Sequence, residues 1–369
     1  MINQILPPLI IGDLKINVPI IQGGMGVKVS TAALASAVAN CGAAGTIASV
    51  GLAHGKVTGV KDYVEYSNQA LQNEIRKARK LTKGVFGVNI MVALSNYEEM
   101  VRTAVKEKVD YIISGAGLPL SLPKYAQGSQ VKLIPIVSSA RSADIILKTW
   151  KRRYNRLPDA VIVEGPMAGG HLGFKAEDII NNTADRLEKL VPDVIKTLKK
   201  YTNESKKEIP VIAAGGVFDG KDLVKFLKLG AKGVQMGTRF VATNECPVSD
   251  KFKQLYVAAK KEDVIITKSP VGMPGRALKT EFINRLRRLE KIPFKCDFRC
   301  LQSCDVKNAP YCIAKAMCSA INGEFDDSIV FAGSNVTRVN KIISVAELIK
   351  SIISEAKEAL TSKLATLPV

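Results

Sequence analysis

Aromatic side chains are scarce in this chain of 369 residues, at 6%, and no apolar run approaches the roughly 20 residues that a membrane helix needs. A bilayer-spanning helix is therefore not expected. The N-terminal stretch is interrupted by Pro7, Pro8, Asp13 and Lys15 and shows no charged segment ahead of an apolar one. No signal peptide is read there, and a cytoplasmic protein is expected. Acidic residues are also short: 34 Asp and Glu face 53 Lys and Arg, a net charge of +19. That balance favours anionic partners such as phosphorylated cofactors or acyl carriers. The excess is dispersed over helix faces, as at Lys77, Arg79, Lys80 and Lys151, Arg152, Arg153, without interleaved aromatics. A solvated basic surface is preferred to nucleic-acid binding. With hydrophobic residues at 47% and charged ones at 24%, disorder, collagen and coiled coil are unsupported.

What is present is an alternation of short β-rich runs with amphipathic segments. The runs cover 19–24, 44–49, 85–92, 111–117, 132–139, 160–165, 210–216 and 233–240. Most are apolar on consecutive residues, as strands covered on both faces of a parallel sheet require. Helical periodicity fills 60–81, 96–108, 183–201 and 219–229 between them. Eight such units match the size of a TIM (β/α)8 barrel, an α/β fold whose sites lie where the strands end. A doubly wound open sheet is the competing architecture. The expected organisation is a barrel over 1–245, an excursion over 246–339 that lids its mouth, and a closing C-terminal helix within 340–369.

Glycine or a small polar residue ends strand after strand. The most informative segment is Glu164-Gly165-Pro166-Met167-Ala168-Gly169-Gly170-His171-Leu172-Gly173, after the sixth run. The chain has 2 histidines, and His171 lies in a glycine-rich turn that lets backbone approach a ligand. An imidazole there can exchange protons near neutral pH, or simply bond loop carbonyls. His54 has no such context and is read as a surface residue. Ala214-Gly215-Gly216 after the seventh run and Met236-Gly237-Thr238 after the eighth fit a phosphate site on adjacent strands. Glycines used only for tight turns are the plainer reading. Gln22-Gly23-Gly24-Met25-Gly26 after the first run leaves room for a flat ring.

Taken in order, Gln-Gly-Gly-Met-Gly, Gly-Val-Asn, Ala-Gly-Gly-His-x-Gly, Ala-Ala-Gly-Gly-Val and Gln-Met-Gly-Thr-Arg-Phe resemble the nitronate monooxygenase family of flavin barrels. That group includes enoyl-acyl-carrier-protein reductase II. The resemblance implies non-covalent FMN at the barrel mouth. Gly24, Met25 and Gly26 would lie along the isoalloxazine, and Asn89 would touch its ring or ribityl edge. Gly215, Gly216, Gly237 and Thr238 would hold the phosphate with Gln235 nearby. Glu164, Gly169 and Gly170 would flank the flavin, Ser138 would reach it from the fifth strand, and Gly23, Ala214 and Met236 complete the set. His171 would be the catalytic base beside N5. Arg276, in Pro-Gly-Arg, would meet an anionic substrate or form a salt bridge. The preferred activity is oxidation of alkyl nitronates with O2. The alternative is NAD(P)H-dependent reduction of enoyl thioesters or quinones, with an acyl carrier protein as a partner. A homodimer is left open. Where many members carry Glu-Ala or Glu-Ser before Gly-Gly-His, this chain has Pro166-Met167-Ala168, which bears on substrate contacts.

Seven cysteines without an export signal point to a reducing compartment. Cys296, Cys300, Cys304, Cys312 and Cys318 crowd into one stretch. Four thiolates can bind zinc or an iron–sulfur cluster, but the spacing matches neither a zinc ribbon nor a bacterial ferredoxin. Packing thiols are preferred, and no metal ligands are assigned.

Overall fold

The computed structural model describes residues 6–54, 62–205, 208–288, 290, 292–296 and 298–361. Residues 1–5 and 362–369 of the expected first and last units, and Val60 at the start of one expected helix, lie outside them. Eight parallel strands form the centre: β1 (Ile20–Gln22), β2 (Gly45–Ala48), β3 (Phe86–Met91), β4 (Tyr111–Gly115), β5 (Lys132–Val137), β6 (Val161–Glu164), β7 (Val211–Ala214) and β8 (Gly233–Met236). Each pairs with the next, and β8 pairs with β1 through Gln235↔Ile21. The ring closes between β1 and β2, where Gln22 N donates to Ala44 O and Ala44 N to Ile20 O, both at 2.9 Å. The open-sheet alternative is thereby excluded.

Every residue of β4 and of β7 is buried, as strands with side chains packed inside and helices outside must be. Ile21, Tyr111, Ile113, Ile134, Ile162 and Ile212 fill the barrel interior together with Leu9, Ile11 and Ile16. Those last three come from an antiparallel hairpin, Leu9–Ile11 with Leu14–Ile16, that the sequence patterning did not disclose. Its apolar residues share a core with the interior side chains, so one end of the barrel is filled and the strands' C-terminal ends remain for a site.

The outer ring is α1 (Ala32–Asn40), α2 (Tyr63–Leu81), α3 (Tyr97–Lys106), α4 (Leu122–Tyr125), α5 (Ala140–Tyr154), α6 (Leu187–Ser205), α7 (Gly220–Lys228) and α8 (Val345–Thr361). Helix α8 buries Val345, Leu348, Ile349, Ile352, Ile353 and Ala356 and packs against α7 and α1. The approach is close: a Cβ on Gly220 would lie 2.2 Å from Ile352 O and from Ala356 N. Glu355 reaches across to accept the Gly220 N–H at 2.9 Å, answering one unpaired amide of the α7 N-terminus.

Between β8 and α8 runs the excursion. Its helix Asp250–Ala258 is capped by Ser249, whose Oγ accepts from Phe252 N at 3.3 Å. A small antiparallel sheet follows, Val264–Lys268, Pro274–Leu278 and Val330–Phe331. Helices Glu281–Arg287 and Ile313–Asn322 complete it. No helix among the described residues is long and apolar enough to cross a membrane.

Candidate active site

At the C-terminal ends of the strands lies a cavity of about 450 Å³. Gly23, Gly24, Met25 and Gly26 line it from the loop after β1, Asn89 from β3 and Ser138 after β5. Glu164, Gly169, Gly170 and His171 line it after β6, and Ala214, Gly215, Gly216, Gln235, Met236, Gly237 and Thr238 from β7 and β8. Every residue singled out for cofactor or proton chemistry thus faces one space. The excursion supplies its roof, including Val271, Met273, Ile313, Met317 and Phe331.

The glycines divide by what surrounds them. A Cβ on Gly24 would fall 2.3 Å from Asn89 Cβ, and one on Gly169 would fall 2.5 Å from Gly333 N. Those two positions serve the protein's own close packing. A Cβ on Gly170 would meet nothing among the described residues within 4 Å, and one on Gly237 would meet only the Met25 side chain, with Sδ at 3.4 Å. These leave a cradle for something else. Gln235 Oε1 is buried in the cavity wall without a hydrogen-bond partner, a costly state for a polar atom. Asn335 Nδ2 donates to Gly216 O at 2.7 Å, and Gly333 N to Thr238 Oγ1 at 3.0 Å. The excursion is thereby fastened to both glycine loops.

His171 is placed by backbone pairing. Gly170–His171 adds to the excursion's sheet, with His171 opposite Gly275 and Gly170 opposite Arg276. Its Nε2 shares a hydrogen bond of 2.7 Å with Ser269 Oγ, which also accepts Val271 N–H at 3.2 Å. Phe331 flanks the ring, with centroids 5.1 Å apart. Burial pushes the imidazole pKa down to about 4, so the ring is neutral at pH 7. Burial pushes the Glu164 carboxyl up to about 7, placing its titration in the range where acids and bases act. Ser138 Oγ donates to Gly173 O at 2.9 Å while lining the cavity.

Two expectations are corrected. Arg276 is not among the residues lining the cavity and forms no salt bridge among the described residues. Its Nη1 donates to Pro166 O and Ala168 O at 2.6 Å each, and burial lowers its pKa to about 10. The guanidinium braces the loop that carries Gly169 and Gly170. His54 is not on the surface but 4% exposed, stacked on Phe298 at 4.4 Å between centroids. Neither of its ring nitrogens has a hydrogen-bond partner among the described residues, and burial takes its pKa to about 4. A sequence neighbourhood without strand or turn signals could not reveal that Phe298, far along the chain, covers it. Ser269, Phe331 and Asn335 were not foreseen either. They reach the site through the pairing of Gly170–His171 with a strand about a hundred residues away, which leaves no local signal.

The sequence model of the family described as nitronate monooxygenase matches residues 8–103 and 94–355. FabK from Thermotoga maritima has a TM-score of 0.74 and 28% identity, over 95% of this chain and 96% of that one. A nitroalkane oxidase from Streptomyces ansochromogenes, with a TM-score of 0.72 over 94% of this chain and 97% of its own, is 20% identical and shares the fold. A (3aS,4S,5R,7aS)-5-hydroxy-7a-methyl-1-oxo-octahydro-1H-indene-4-carboxyl-CoA dehydrogenase of Rhodococcus jostii is 32% identical over 268 residues. That match spans 73% of this chain but 64% of the relative, less than two thirds of its length. A probable nitronate monooxygenase of Staphylococcus aureus is 28% identical over 75% of this chain and 79% of its own. The matched family is one of flavin-dependent oxidoreductases. The open cradle at Gly170 and Gly237 and the unpartnered Gln235 Oε1 fit a planar, polar-edged group of that kind.

Proposed function

The chain belongs to the nitronate monooxygenase family, and from that premise we propose that it is an FMN-dependent oxidoreductase that oxidises alkyl nitronates with O2. The observation that carries this reading is a neutral, buried imidazole fixed at the wall of a glycine-lined cavity. Gly23, Gly24, Met25, Gly26 and Asn89 would hold the ring system, with Ala214 and Met236 completing the set. Gly215, Gly216, Gly237 and Thr238 would hold the phosphate through backbone amides. FMN supplies the electron chemistry when bound, and the protein supplies position, polarity and exclusion of water.

The chain's own part is proton handling. With the Nε2–H of His171 donated to Ser269 Oγ, Nδ1 would be the nitrogen able to take a proton from the α-carbon of a neutral nitroalkane. A preformed nitronate lacks that proton and needs no base. Glu164 would act on the polar edge of the cofactor or substrate. None of the seven cysteines is in a disulfide, in keeping with a reducing compartment such as the cytoplasm.

A second reading has its own support. The roof residues Val271, Met273, Ile313, Met317 and Phe331 are apolar, and the net charge of +19 suits an acidic carrier or a CoA phosphate. Both features fit an NAD(P)H-dependent reductase of enoyl thioesters. Anaerobic reduction of the flavin separates the readings. Bleaching by an alkyl nitronate alone supports the first, and bleaching by NAD(P)H alone, reversed by an enoyl thioester, supports the second. Protein that binds no FMN on reconstitution overturns both.

A further inference from the structure

The segment from Ile292 to Cys312 has no part in the chemistry above, yet it folds around its cysteines. Ile292 N donates to Pro310 O at 2.8 Å, so the chain leaves and returns at one place and brings Cys296 back towards Cys312. Arg299, in the left-handed region at φ 44°, turns its amide onto Cys296 Sγ at 3.4 Å. Cys312 occupies the N-cap of helix Ile313–Asn322. Cys300 is fastened to the loop after β3: Ser95 N donates to Cys300 O at 3.1 Å and Gln302 N to Ala93 O at 2.9 Å. Its residue also lines the cavity.

The four sulfurs lie within electrostatic reach of one another. Cys300 has Cys312, Cys296 and Cys304 as its electrostatic neighbours. Cys304 has Cys296 and Cys312, and Cys312 has Cys296. None of the four is in a disulfide. Four sulfurs grouped in this way, one of them accepting the Arg299 amide, supply the thiolate count that a metal centre takes. Among the described residues no three ligands converge on the point that one ion would occupy. A single zinc, with Zn–S of about 2.3 Å, needs that convergence. A polynuclear cluster spans more space and takes four thiolates with amide hydrogen bonds to sulfur. Lys295, Arg299 and Lys307 in the same segment suit its negative charge.

We infer that Cys296, Cys300, Cys304 and Cys312 bind an iron–sulfur cluster that clips the excursion to the loop after β3, beside the flavin cavity. The inference is independent of which reaction the flavin serves, and it replaces the expectation of packing thiols.

The test is iron and acid-labile sulfide analysis of the protein purified without oxygen, with electron paramagnetic resonance after dithionite reduction. The expected result is on the order of four iron and four sulfide per chain, with a reduced-state signal distinct from a flavin radical. Cys312→Ser should lose most of the iron, and Cys318→Ser should keep it. Alkylation mapped by mass on the native wild-type protein gives a readout that survives misfolding of a variant. Cys296, Cys300, Cys304 and Cys312 should be protected there and become reactive after iron chelation, while the half-buried Cys41 and Cys318 react throughout. Stoichiometric zinc, a disulfide among the four, or no iron and sulfide after reconstitution with ferrous iron and sulfide would each overturn the inference.

Discussion

Ser269 contributes one hydroxyl to the site, and its effect should be read through His171. The hydrogen bond between them, at 2.7 Å, fixes which imidazole nitrogen is left for the substrate. Replacing His171 with Ala should lower turnover of neutral nitroalkanes by about 10²–10⁴-fold, with flavin content unchanged and preformed nitronates still oxidised. Normal turnover of the neutral substrate by that variant would remove His171 from its role. Ser269→Ala should lower kcat by about tenfold with little change in KM, and Ser269→Thr should restore most of it. The pH dependence follows from burial. The imidazole pKa is lowered to about 4 from 6.5, so the neutral ring persists on acidification until well below pH 6. The acid limb of kcat/KM for a neutral nitroalkane should lie near pH 4, and a limb near 6.5 would mean a solvated ring. The sign for stability is the same. The unfolded chain takes up this proton at about 6.5, so stability falls as pH drops from there towards 4.

Between elements, the decisive contact is the pairing of Gly170–His171 with Pro274–Leu278, braced by Arg276 on Pro166 O and Ala168 O. Arg276→Met keeps the bulk and removes both donors, leaving two buried carbonyls unanswered at about 1–3 kcal/mol each. The expected outcome is a lower Tm and faster loss of flavin on dilution. An unchanged melting curve would show that the loop holds without the guanidinium. Gly237 offers the converse case. Its backbone lies at φ −114°, open to any L residue, and an added Cβ meets only the Met25 side chain, with Sδ at 3.4 Å. Gly237→Ala should therefore fold with an unaltered Tm yet bind FMN about tenfold more weakly, as titration followed by flavin fluorescence would show. The strands themselves were legible because burial on both faces leaves unbroken apolar runs such as 133–137. The N-terminal hairpin and the excursion's sheet were not. Their strands are short, and Gly170–His171 is too short to carry a period.

Over the whole molecule, a net charge of +19 acts on any anionic substrate through a field that salt screens over about 10 Å at 0.1 M. If the protein serves acyl thioesters of CoA or an acidic carrier, their KM should rise steeply with ionic strength, whereas that of a small nitronate should change little. Equal salt responses would argue against the thioester reading. The same scale explains why α8 completes the ring after an excursion of about a hundred residues. Its apolar stripe needs the groove between α7 and α1, and Gly220 admits its backbone there.

Order and composition alone determined the eight-unit barrel, the end at which its loops gather, and the glycine and histidine positions that face the cavity. Each of these follows from local rules: apolar runs make buried strands, and glycine after a strand makes space. Tertiary structure alone decided that Ser269 holds His171, that Arg276 braces the loop of Pro166 and Ala168, and that Phe298 covers His54. All three depend on segments far apart in the chain meeting, and periodicity carries no information about such a meeting.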